Sequence, residues 1–193
     1  MQTTTRHLIA AAVMGLFATT GFAMTKAEHK AAEDRVKAEY KAEKAQCASL
    51  SANAKDVCEK QASGKQKVAK ADLEAQYKPS NKASFKAREA RADADYEVAK
   101  EKCDDLSGNA KDVCVKDAKA AHVKAKEDAK VARAQGEPGE TPNEKAAHVA
   151  ETKKDAAEEK READYKAAAE RCDAMSGDVK DKCIADAKRA FAQ

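Results

Sequence analysis

The sequence predicts an all-α protein: three disulfide-stapled antiparallel helical hairpins in tandem, loosely packed or extended. Three observations predict it. Alanine, lysine and acidic residues dominate the chain, six cysteines recur in three identically spaced pairs, and the three prolines fall only between those pairs.

Alanine alone supplies 46 of the 193 residues. Beyond residue 23, only 16 of 170 residues are Leu, Ile, Val or Phe, about 9% where an ordinary core needs ~20% or more. Trp is absent, and 37 Lys and Arg nearly balance 34 Asp and Glu. A Rossmann domain, a TIM barrel or a β-sandwich needs far more branched and aromatic side chains than this. The composition suits exposed helices joined along alanine seams.

Residues 1–23 read as a cleaved signal peptide. One arginine, Arg6, precedes the apolar run Leu8 to Ala18, and Gly21-Phe22-Ala23 supplies a small-x-small cleavage site. Eleven apolar residues span about 16 Å as a helix, roughly half of a hydrocarbon layer. The segment is therefore too short for an anchor, and the expected location is the periplasm, with no stable membrane insertion after cleavage.

An oxidising compartment gives the six cysteines their meaning. They fall as Cys47/Cys58, Cys103/Cys114 and Cys172/Cys183, and the intervals read ASLSANAKDV, DDLSGNAKDV and DAMSGDVKDK. A tyrosine stands seven residues before each first cysteine: Tyr40, Tyr96 and Tyr165. Within each interval, Leu50, Leu106 or Met175 leads to Ser and a small residue, Ala52, Gly108 or Gly177, suited to a left-handed helix stop. Asn53, Asn109 or Asp178 follows as the expected N-cap. Asp56, Asp112 or Asp181 stands three residues on, completing a capping-box pattern. An unbroken helix would hold each cysteine pair about 16 Å apart, well beyond disulfide reach. Helix, turn, helix is the remaining solution.

The resulting hairpins are expected at 26–77, 82–135 and 144–192, with a Gly/Pro linker at 136–143. Pro79, Pro138 and Pro142 then lie outside helices. If each cysteine pair lies opposite, Tyr96 faces Ala121, Tyr165 faces Ala190, and Tyr40 falls at Lys65 beside Gly64, as structural core. Around the middle staple, Ala99 and Ala92 on one helix and Ala118, Ala121 and Ala125 on the other form the small-residue face. Outward faces rich in Lys, Glu and Asp suggest beads or a loose bundle, with little core shared between repeats.

Reactive constellations are missing from the sequence. It has no HExxH, CxxC, GxSxG or Gly-rich phosphate loop. Cysteines ten residues apart across a turn do not have zinc-site spacing. His29, His122 and His148 stand alone. The expectation is no enzyme, no catalytic or metal residue and no cofactor. A basic stripe with aromatic platforms is also missing, so no nucleic acid is expected as a partner.

The hairpin motif Y-x6-C-x2-L-S-G-N-A-K-D-V-C resembles that of uncharacterised exported proteobacterial proteins labelled TolA-like cell-envelope proteins. The resemblance implies envelope partners and no established activity. Val149 to Lys160 is similar to the eleven-residue pattern of late-embryogenesis-abundant proteins. Plant α-hairpinins and twin-cysteine mitochondrial proteins also staple helical hairpins, but with two cysteines per helix. The functional expectation is a non-enzymatic structural or interaction module of the cell envelope; the alternative is a stress protectant, acting by hydration or soft-metal buffering.

Overall fold

The structure is a computed structural model that describes residues 24–137 and 141–193. The signal peptide expected at 1–23, and Pro138 of the linker, lie outside the described residues. Six α-helices account for nearly all the rest: α1 Lys26–Cys47, α2 Ala52–Tyr77, α3 Asn81–Lys102, α4 Gly108–Gly136, α5 Pro142–Cys172 and α6 Gly177–Ala190. A single 3-10 turn, Cys103–Asp105, closes α3.

Two helices begin with a complete capping box. The Thr25 hydroxyl accepts from the Glu28 backbone N–H at 3.2 Å, and the Glu28 carboxylate accepts from the Thr25 N–H at 2.8 Å. Thr141 and Glu144 repeat the arrangement at 3.4 and 3.2 Å, and Pro142 occupies the first turn of α5. Pro142 was expected in the linker. Its fixed φ and missing N–H suit the first helical position, where that donor has no intrahelical partner. The helix therefore starts earlier than 144.

Hydrogen bonds from Thr25, through its backbone and then its side chain, hold the Glu28 carboxyl below its ordinary 4.5. Those from Thr141, side chain first, do the same to Glu144. A depressed folded pKa means the contribution is complete above pH 4.5 and is lost as pH falls through the lower folded value. Between pH 6 and pH 3, amide exchange in the first turns of α1 and α5 should accelerate. The first turn of α3 is capped by Ser80 and contains no acidic residue, so it serves as the internal control. Equal acceleration in all three helices would contradict the assignment.

Consecutive helices run antiparallel and pack in sequence order, each against its chain neighbours, giving an extended row. The three hairpins follow in tandem along it. Of beads and a loose bundle, the beads alternative is corrected, because the most extensive contacts are α4–α5 and α2–α3, the two seams joining one hairpin to the next. Small residues explain those seams. A Cβ added to Gly64 would meet the Ala94 Cβ at 3.0 Å, and Ala120, Ala163 and Ala167 cluster with Val123 between α4 and α5. Charged heads pair across the seam while their stems pack along it. Lys60 reaches Glu97 at 3.3 Å, and Lys124 reaches Asp164 at 2.6 Å.

The buried core consists of alanines and cysteines, with Leu73 as the one larger buried aliphatic among the described residues. Methyl-sized side chains let helices approach closely but remove little apolar area from water, so each covalent staple carries unusual weight.

Candidate functional site

Alternating direction along the row brings the α1–α2, α3–α4 and α5–α6 turns to one end of the molecule. Each is closed by a disulfide. Cys47–Cys58, Cys103–Cys114 and Cys172–Cys183 have Cα atoms 5.5, 5.6 and 5.7 Å apart. Among the described residues no cysteine is free.

The same backbone path recurs in all three turns. The N–H groups of Leu50, Leu106 and Met175 donate to the carbonyls of Cys47, Cys103 and Cys172 at 3.0, 3.0 and 2.9 Å. Ser51, Ser107 and Ser176 are extended, and the small residue after each takes a positive φ: 49° at Ala52, 55° at Gly108 and 56° at Gly177. The sequence placed a left-handed residue here as the stop of the first helix. It instead opens the second, because the first helix has already ended at the cysteine or just after it.

None of these three second helices has a side-chain cap. The expected capping boxes from Asn53, Asn109 and Asp178 therefore do not form. Asn53 instead donates its side-chain amide to the Glu101 carbonyl at 3.1 Å, joining the first turn to the end of α3.

Two copies carry an additional clasp. Asp104 pairs with Lys111 at 3.0 Å, and Asp173 with Lys180 at 2.8 Å, one and eight residues after the first cysteine in each repeat. The hydrogen bond to Asp173 raises the Lys180 pKa, with its Coulombic attraction second. The first copy has Ala48 at the acidic position, so Lys55 lacks this partner. It also has Ala52 where the others have glycine. Ala52→Gly should stabilise the first hairpin by about 1 kcal/mol, the scale of the left-handed Cβ penalty. Gly108→Ala and Gly177→Ala should each destabilise by about as much. Beyond the adjoining backbone, nothing lies within 4 Å of a Cβ added at either glycine, so the backbone conformation alone is tested. Urea unfolding of the three variants checks this, and shifts of one common sign would contradict it.

Tyr40, Tyr96 and Tyr165, expected as structural core, are half-buried; alanine and cysteine take the fully buried places. Tyr96 stacks on His122, the residue after the expected Ala121, with ring centroids 4.6 Å apart, and His122 Nε2 lies 2.6 Å from Asp93. A flat ring covers a phenol better than a methyl group does. Ala121 and Ala125 are accordingly exposed, while Ala118 and Ala92 are buried as expected. Gly64 makes room for Ala94 of the next hairpin.

A second clasp at the far end of the first two hairpins escaped the sequence reading. His29 stacks on Tyr77 at 4.2 Å, and Arg133 lies over the Phe85 ring at 5.2 Å. Equal offsets betray the relation: His29 and Phe85 each precede the first cysteine by 18 residues, and Tyr77 and Arg133 each follow the second by 19.

Three large apolar side chains stand at the tips of the stapled turns. Leu50, Leu106 and Met175 are 43%, 43% and 41% exposed, and Val179 beside the third is 65% exposed. Among the described residues, no group of three or more His, Cys, Asp or Glu side chains is placed to hold a metal ion. No described helix is long and apolar enough to cross a membrane. Three disulfides fit an oxidising, extracellular-type environment. No protein-family model matches the chain, and no curated protein or solved structure matches it.

Proposed function

We propose that the protein is a non-enzymatic helical repeat protein of the periplasm, acting by surface contact through its three stapled turns. The observation that carries this is the repeated exposure of one large apolar side chain at one place in every repeat. In a chain so poor in aliphatic residues, three spent on solvent are better explained by contact than by folding. Disulfide, backbone hydrogen bond and, in two copies, an Asp–Lys pair hold each tip rigid before any partner arrives. Little ordering entropy then opposes binding. Successive tips lie two helices apart along the row, roughly 16–20 Å at ordinary helix spacing. The surface accordingly suits an extended or repeated envelope partner.

The test is chemical cross-linking in intact cells, comparing the native chain with a Leu50→Ser/Leu106→Ser/Met175→Ser variant. The expected result is one reproducible envelope protein joined to the native chain and lost from the variant. Recovery of the same proteins by both chains, or of none reproducibly, would overturn the reading. If both chains also protect a dried test enzyme better than an equal mass of albumin, the hydration protectant takes its place.

A further inference from the structure

The end of the row opposite the stapled turns carries a different surface. A groove of about 560 Å³ lies between α2 and α3 beside the Lys78–Ser80 turn. Five lysines line it: Lys67, Lys70 and Lys78 from the α2 side, Lys82 and Lys86 from α3. Glu74 is the single acidic residue among its walls, and it pairs with Lys78 at 3.6 Å. Lys67, Lys70, Lys82 and Lys86 make no ion pair among the described residues, so Lys78 is the one groove lysine with an acidic partner. Five lysines against one glutamate give the groove a net +4, more than the +3 of the whole chain. The fold brings lysines from two helices together in one place.

The floor of the groove is apolar. Ala71 of α2 and Ala83 of α3 both line it, and lysine stems complete the walls. None of its lining residues is aromatic, so it offers no platform for stacking bases. From Lys67 to Lys78 the groove follows about 16 Å of helix, enough to lay an extended alkyl chain along it.

We propose that this groove binds a single-chain anionic amphiphile, with the alkyl tail on the alanine floor and a phosphate or carboxylate head among the unpaired lysines. Apolar contact supplies affinity, and the lysine rim selects charge. The proposal is independent of the turn surface at the other end.

The experiment uses the full oxidised chain and dodecyl phosphate kept below micelle formation, followed by backbone amide shifts and calorimetry. The expected result is a one-to-one complex with shifts concentrated between residues 67 and 86, and an affinity that falls with added salt. Inorganic phosphate tests the head alone and dodecyl maltoside the tail alone; each should bind at least tenfold more weakly. Lauric acid should compete, which extends the head to carboxylate. Lys67→Gln/Lys82→Gln/Lys86→Gln should weaken binding at least tenfold. Lys41→Gln/Lys44→Gln/Lys153→Gln, removing equal charge elsewhere, should not. Equal losses in both triple variants, or equal binding of inorganic phosphate, would overturn the proposal. So would tight binding confined to phosphatidylglycerol vesicles or to a short single-stranded oligonucleotide, which would mark a membrane-surface or nucleic-acid patch.

Discussion

Replacing the middle staple, as Cys103→Ala/Cys114→Ala, should destabilise the protein by about 3 kcal/mol, the loop-entropy contribution of a closure of some twelve residues. Its effect should reach beyond its own hairpin. α3 packs on α2 and α4 packs on α5 through the two most extensive seams of the row. Loosening α3 and α4 therefore removes a wall from both neighbours, and hydrogen exchange should accelerate in α2 and α5 as well. The equivalent Cys172→Ala/Cys183→Ala change should act locally. α6 is the shortest α-helix among the described residues and packs chiefly on α5, whereas α5 is also held by α4. Exchange should then rise across α6 while α5 keeps most of its protection. Identical, strictly local responses in both variants would mean that the hairpins are independent units.

Gly64→Leu should be the most damaging single substitution outside the cysteines, destabilising by about 2–3 kcal/mol through overpacking. The Gly64 Cα side faces Ala94, and even a methyl there meets the Ala94 Cβ at 3.0 Å. A leucine has to push α2 away from α3. Gly64→Ala separates the two effects at this site, since its helix-propensity gain of about 1 kcal/mol opposes the tight contact. The alanine variant should unfold near the native midpoint and the leucine variant far below it. Pairing Gly64→Leu with Ala94→Gly should recover part of the loss, because the second change vacates the space the first invades. No recovery in the double variant would show that Gly64 does not sit against Ala94.

The features legible in the sequence were those fixed by local geometry. A disulfide tolerates a narrow range of Cα separations, so a ten-residue interval forces a turn. Gly108 and Gly177 then mark the left-handed residue. Thr25-x-x-Glu28 and Thr141-x-x-Glu144 are equally legible as capping boxes but stand outside the cysteine repeat. The seams were not legible, for a physical reason. Alanine recurs on every face of these helices, so composition does not distinguish Ala94, buried against Gly64, from exposed Ala121. Lysine heads that look like solvated outer faces pair across α2–α3 and α4–α5 and help to close them. The lysine groove was hidden in the same way, since Asp72 and Glu74 interrupt the basic residues along the chain while the fold aligns Lys67 and Lys70 with Lys82 and Lys86.

Cysteine connectivity tests the central claim most directly, because every helix position in the row depends on local staples. Proteolysis of the oxidised chain without reduction, followed by mass spectrometry, distinguishes the fifteen pairings that six cysteines allow. The account predicts peptides joined only as 47–58, 103–114 and 172–183. Bridges between repeats, or free thiols in protein taken from an oxidising compartment, would contradict it.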